Sequence, residues 1–187
     1  MDLIRQAFED HLFTVQRSME KLLPALEQAS QLCRESLAAG GKIILMGNGG
    51  SAADAEHLAA EFTGRYEIER KGLAALSLTA GAPSVTSIAN DYGFDRVFTR
   101  QLEALGHKGD VCIGITTSGK SPNVVRAMEK ARMMGLHTIA FTGRDGGDVL
   151  EYADVALVVP SDTTSRIQEV HILLGHCLVQ MVERREA

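Results

Sequence analysis

His57 and Glu61 stand four residues apart in a segment that reads as a helix, so an imidazole and a carboxylate share one helix face. Two such side chains converge on one atom, as paired metal ligands or as an acid–base pair. The run just before them is Gly47-Asn48-Gly49-Gly50-Ser51, set between a short apolar strand (Lys42 to Met46) and that helix. Its glycines reach backbone conformations closed to residues with a Cβ. Ser51 is placed to cap the helix, and its hydroxyl and the free N–H groups of the first turn make an anion site, with phosphate as the expected guest. The loop is not a dinucleotide fingerprint, because Ala52 stands where the third glycine belongs. Nor does a Gly-Lys-Ser/Thr follow to make a Walker loop. A plain strand–helix turn is the other reading of this loop taken alone.

A second polar turn, Thr116-Thr117-Ser118-Gly119-Lys120-Ser121, gathers four hydroxyls and a lysine where another strand ends and Pro122 opens a helix. Hydroxyls and backbone N–H groups suit the oxygens of a phosphate monoester. The last helix adds Gln168, Glu169, His171 and His176. His171 reads as a structural residue. His176 follows Gly175 inside an apolar run (Ile172, Leu173, Leu174, Cys177, Leu178, Val179), where an imidazole needs a hydrogen-bond partner or a metal. Gln168 and His176 are eight residues apart, about 12 Å along an unbroken helix. For both to reach one ion, the side chains must lean together, the helix must deform near Gly175, or a neighbouring subunit must supply one of them.

Strands alternating with helices are the elements that position these groups. Apolar runs predict strands at Lys42–Met46, Leu73–Leu78, Val111–Ile115, His137–Phe141 and Val155–Val159. Helices are expected over 51–63, from Ala82 to near Asn90, over Phe94–Leu105, from Pro122 to Met134, around Gly147–Tyr152, and from 164 to 184. Helical periodicity fills residues 1–39, where Pro24 is expected to break the run into two helices or kink one. The expected fold is α/β: a three-layer, doubly wound, mainly parallel five-stranded sheet in a single domain over 1–187, with an N-terminal helical extension. Ligands of such sheets lie at the carboxyl ends of the strands, where the polar turns fall. The surplus apolar face of residues 1–39 is expected to meet a second copy of the chain.

Composition bounds the function. A net charge of −5 argues against a general nucleic-acid surface. Three distant cysteines (Cys33, Cys112, Cys177) read as reduced core residues of a cytoplasmic protein. Asp2, Arg5, Glu9 and Asp10 interrupt any signal-peptide core, and no apolar run approaches the roughly 20 residues that cross a bilayer.

The motifs GNGGSAADAEHLAAEFTG, ANDYGF, TTSGKS and RIQEVH occur in that order. Together they resemble the sugar isomerase (SIS) domain family and, within it, the bacterial phosphoheptose isomerases, over nearly the whole chain. The resemblance implies conversion of sedoheptulose 7-phosphate to D-glycero-D-manno-heptose 7-phosphate for lipopolysaccharide core or other surface glycans. It also implies a cytoplasmic homotetramer with active sites at subunit contacts. It places Zn²⁺ on His57, Glu61, Gln168 and His176, and substrate contacts on Asn48, Gly49, Gly50, Asn90, Asp91, Thr116, Thr117, Ser118 and Ser121, with Ser51, Glu61 and Gln168 beside them. The phosphate is expected on Ser118, Ser121 and the 116–121 backbone. Glu61 is the expected base and His176 its acid–base partner. The alternatives are a replication-initiator-associating protein of the same superfamily, acting by binding, and an isomerase or sensor for another sugar phosphate.

Overall fold

The computed structural model describes residues 1–186. Five strands form one parallel sheet: β1 (Ile43–Gly47), β2 (Ala75–Ser77), β3 (Val111–Ile115), β4 (His137–Gly143) and β5 (Val155–Val159). The order across the sheet is β2-β1-β3-β4-β5, and every neighbouring pair is parallel, so the expected "mainly parallel" sheet is wholly so. Residues of β1 and β3 are buried throughout, as continuous apolar strands covered on both faces must be.

Among the described residues six α-helices flank the sheet: α1 (Asp2–Ala38), α2 (Gly50–Thr63), α3 (Ala82–Tyr92), α4 (Val97–Leu105), α5 (Pro122–Met133) and α6 (Thr164–Glu186). Alternation along the strands splits the core in two. Ile43 and Leu45 join α1, α2 and α6 on one face, whereas Ile44 and Met46 join α4 and α5 on the other. The expected three layers are therefore present.

Three local expectations are corrected. Residues 2–38 form a single helix that runs through Pro24, not two. Leu22, Leu26, Ala29 and Cys33, on either side of the proline, are buried against the sheet, and that packing outweighs the one backbone hydrogen bond that proline forfeits. The strand expected over Leu73–Leu78 shortens to β2, because Leu73 N–H turns away to donate to Phe62 O at 3.0 Å. The helix expected from Phe94 begins as a 3-10 turn, Phe94–Arg96, before α4.

The chain leaves β1 toward β2 and leaves β3 toward β4, so the crevice between the carboxyl ends of β1 and β3 is the topological switch point. Both polar turns flank it. At the other extreme, residues 1–13 of α1 project past the sheet, with Leu3, Ile4, Phe8, Leu12 and Phe13 all more than 60% exposed. They are tied back by His11, whose Nδ1 lies 2.7 Å from Glu169 Oε2, and by Arg166, which donates to Ala7 O.

Candidate active site

The first turn starts its helix one residue earlier than expected. Gly49 adopts φ +56°, α2 begins at Gly50, and Ser51 lies buried inside the first turn. Among the described residues no side chain caps this helix, so the capping role expected of Ser51 is not found. Its N–H donates to Asn48 O at 3.0 Å. In the second turn, Thr116 Oγ1 and Ser121 Oγ are 3.0 Å apart, and Lys120 N–H donates to Ser118 Oγ at 3.2 Å. Pro122 is the first residue of α5, as expected.

The two turns are joined. Asn48 and Asn123 exchange side-chain hydrogen bonds, Nδ2 of Asn48 to Oδ1 of Asn123 at 2.8 Å and Nδ2 of Asn123 to Oδ1 of Asn48 at 2.9 Å.

Helices α2 and α6 run alongside one another in the same direction, and this pairing brings two imidazoles and a carboxylate together. The Gln168 amide lies against Gly50, where a Cβ would overlap it. Two turns further along, His176 Nε2 is 2.9 Å from His57 Nε2, with the rings edge to face at 77°. Glu61 Oε1 is 3.5 Å from the same His57 nitrogen. Glu61, His57 and His176 thus form one cluster. Partial burial, and next the charge of His57, push the His176 imidazole below its ordinary value, while Glu61 pulls it up. The ring is therefore neutral near pH 7, able to accept a proton or to pass one on.

Because α6 is continuous past Gly175, it does not deform to bring Gln168 to His176. Asn90 and Asp91 end α3, exposed and bonded to each other at 2.9 Å, and among the described residues neither side chain bonds to either turn.

The family model for the SIS domain matches residues 8–143. A phosphoheptose isomerase of Helicobacter pylori (strain P12) is 53% identical over 186 residues, covering 100% of this chain and 97% of the relative. The chain belongs to the phosphoheptose isomerase family.

A further family member, from Aliarcobacter butzleri, is 52% identical and covers 96% of this chain and 95% of its own. The solved phosphoheptose isomerase of Neisseria gonorrhoeae superposes with a TM-score of 0.93 at 43% identity, covering 98% of both chains. That of Francisella tularensis gives 0.95 at 36% identity, over 98% of this chain and 97% of that one. A sugar isomerase domain from an RpiR transcription factor, at 20% identity and a TM-score of 0.72, shares the fold alone.

For a phosphoheptose isomerase family site, the donor chemistry of the cluster suits zinc. Two imidazole nitrogens and a carboxylate oxygen are ligand types that zinc takes. The 3.5 Å between His57 and Glu61 matches neighbouring ligands of a tetrahedral ion, whereas 2.9 Å between the imidazoles is shorter than the roughly 3.3 Å that zinc–nitrogen bond lengths set. Among the described residues no three His, Cys, Asp or Glu side chains already surround a common point. Binding a metal here requires the two rings to part slightly.

Three residues beside the cluster or the turns lie outside the sequence expectations. Asp54 stands one turn before His57, with Oδ2 sealed from solvent and unpartnered among the described residues, and burial raises its carboxyl while His57 lowers it. Tyr66 stacks on His176 with centroids 5.4 Å apart. Asn123 follows Pro122 and reads as an ordinary helical position. An acidic residue one turn from a candidate ligand, as Asp54 is, was the only clue available.

Proposed function

We infer that the protein is a ketose–aldose isomerase that converts D-sedoheptulose 7-phosphate to D-glycero-D-manno-heptose 7-phosphate in heptose biosynthesis, feeding lipopolysaccharide core or another surface glycan. The observation that carries this reading is the meeting of His57 with Glu61 and His176 across α2 and α6, the same helix pair that sets Gln168 against Gly50 of the first polar turn. Full-length identity above 50% to phosphoheptose isomerases stands behind it.

The reaction moves a proton from C1 to C2 of the sugar through an enediol, while the proton on O1 is exchanged for one on O2. Glu61 takes the C1 proton and returns it at C2. His176, neutral and partly buried, passes the proton between the two oxygens. Ser118 and Ser121, with the 116–121 backbone, hold the phosphate, and Thr116 and Thr117 contact the substrate beside them. Asn48, Gly49, Gly50 and Ser51 line the sugar, and Asn90, Asp91 and Gln168 complete its contacts.

His57, Glu61, Gln168 and His176 are the residues that would hold Zn²⁺. Bound there, zinc supplies polarisation of the carbonyl and the adjacent hydroxyl. A carboxylate that also holds a metal is a weaker base, so Glu61 serves both roles only as a loose ligand. Gln168 sits about 12 Å along α6 from His176, which favours supply of one of them by a neighbouring subunit.

A homotetramer with sites at subunit contacts accounts for two uncovered surfaces: the apolar face of α1 residues 1–13, and α3, which buries none of its residues. A cytoplasmic setting suits a sugar phosphate and three free cysteines. The net charge of −5 offers nucleic acid little attraction, and among the described residues no helix is long and apolar enough to cross a membrane. The reading as an initiator-binding protein is disfavoured by the intact Glu61, His176 and hydroxyl turn.

The test is incubation with sedoheptulose 7-phosphate before and after chelator treatment, alongside Glu61→Gln and His176→Gln and elemental analysis of each protein. Aldose formation lost by at least about a hundredfold in both variants is expected. Wild-type protein that forms no aldose would refute the assignment, and metal content unchanged in both variants would remove them from the ligand set.

A further inference from the structure

A buried backbone N–H decides which way the Asn48 amide faces, and it does so through Asn123. Val124 N–H donates to Asn123 Oδ1 at 3.0 Å. A backbone N–H only donates, so the atom opposite it must be the amide oxygen and not the amide nitrogen. That fixes the Asn123 amide in one of its two orientations, and Asn123 is 3% exposed, leaving no solvent to satisfy the other.

With Asn123 so fixed, its Oδ1 also accepts from Asn48 Nδ2 at 2.8 Å and its Nδ2 donates to Asn48 Oδ1 at 2.9 Å. Rotating the Asn48 amide by half a turn would set N–H against N–H and oxygen against oxygen. The orientation of Asn48 therefore follows from that of Val124 N–H by two obligatory steps. The pairing uses one N–H and one lone-pair direction of Asn48. Its second N–H and second lone pair stay unengaged among the described residues, at the mouth of the crevice between β1 and β3.

This matters chemically because the substrate oxygens differ. A sugar hydroxyl both donates and accepts, so it tolerates either face of an amide. A carbonyl, enediolate or phosphate oxygen accepts only and requires the N–H. We propose that Asn123 is a positioning residue for the isomerase reaction: it holds the free N–H of Asn48 toward an acceptor-only oxygen of the substrate and locks the first polar turn to the second. The proposal rests on the isomerase reading, in which Asn48 touches the sugar phosphate. Asn123 acts only through Asn48 and never reaches the reacting atoms.

Asn123→Asp tests this with little change of size. The aspartate still accepts from Val124 N–H and from Asn48 Nδ2, and an acidic residue is favourable in the first turn of α5. Its other oxygen now faces Asn48 Oδ1, so one of the two hydrogen bonds is lost in either orientation of Asn48 and the orientation is no longer dictated. The experiment is a double-mutant cycle: kcat and KM for sedoheptulose 7-phosphate, and the thermal unfolding midpoint, in wild type, Asn48→Ala, Asn123→Asp and the double variant.

The expected result is a fall in kcat/KM of about tenfold or more for Asn123→Asp in the wild-type background. In the Asn48→Ala background the same substitution is expected to cost less than about twofold. Equal losses in the two backgrounds, or no loss in wild type, would overturn the proposal. Should the wild type turn over no sedoheptulose 7-phosphate, the isomerase reading fails on its own. The unfolding midpoints then decide the latch: additive shifts reject it and non-additive shifts retain it.

Discussion

The Tyr66 ring lies over the His176 imidazole, with centroids 5.4 Å apart and planes inclined by 20°. Tyr66 belongs to the chain that leaves α2, and one buried carboxylate gathers the backbone N–H groups of that chain. Glu183, fully buried in α6, accepts N–H groups from Tyr66, Glu67 and Ile68 at 3.2, 2.8 and 3.3 Å, and Arg70 Nε at 3.3 Å. Arg70 in turn donates to the carbonyls of Glu61, Phe62 and Gly64, which closes the end of α2 that carries Glu61.

Glu183→Gln should therefore disturb at once both residues proposed to move protons, Glu61 and His176. Arg70 is left charged, 3% exposed and without its counter-charge, a loss of about 3–5 kcal/mol by the usual cost of breaking a buried pair. Urea unfolding measures it. Turnover should fall while KM changes little, because the 116–121 turn, proposed to hold the phosphate, is untouched. Unfolding and turnover both at wild-type values would show that Glu183 anchors nothing.

His171 makes stability depend on pH. The imidazole is fully buried, its Nε2 lies 3.0 Å from Thr142 O, and burial pulls its pKa down to about 4 from 6.5. The unfolded chain takes up the proton first as pH falls, so the folded state loses stability between about pH 6.5 and 4 and no more below that. The full loss is roughly 3 kcal/mol. The His171→Gln variant should lack this part of the slope, seen as a smaller drop in urea-derived stability from pH 7 to 4.5. Parallel curves for the two proteins would exclude His171 as the source.

What the sequence makes legible is what depends on neighbours along the chain. The apolar runs of β3 and β5 appear at their observed bounds, and the two polar turns sit at the ends of β1 and β3 as expected. His57 and Glu61 share a face because four residues make one helical turn. What stays hidden depends on partners far apart. Asn123 pairs with Asn48, 75 residues away, and Glu183 with Tyr66, 117 away. Nothing local marks either one. Pro24 misleads because its local cost is visible and the burial of Leu22 and Leu26 against the sheet is not. Ser51 misleads because the positive φ of Gly49 starts the helix early and draws the serine inside.

The exposed face of α1 gives a prediction about assembly. Phe8 and Leu12 are 69% and 65% exposed on adjacent turns of one helix, so a second copy covering them would bury well over 100 Å² of apolar side chain. Phe8→Glu with Leu12→Glu should lower the mass found by light scattering to that of a smaller species, with the monomer's helix content retained. Unchanged mass would place the subunit contact elsewhere.

At Gly175 the backbone of α6 packs directly against Leu58 of α2, beside the cluster. A Cβ there would lie 2.5 and 2.7 Å from the Leu58 methyl groups, well inside contact distance. Leu58 neighbours His57 on α2, and Gly175 neighbours His176 on α6. Gly175→Ala must then push the helices apart or force Leu58 from its rotamer, at about 1–3 kcal/mol. Alanine raises helix propensity by roughly 1 kcal/mol, so the net loss of stability is small and turnover is the more sensitive readout. Separation of α2 from α6 moves His57 from His176, and kcat should drop. Leu58→Ala supplies the missing space, so adding it to Gly175→Ala should restore part of the lost turnover even though Leu58→Ala alone opens a cavity. If the double variant is as slow as the product of the singles, the spacing of the two helices is not what sets the distance between the imidazoles.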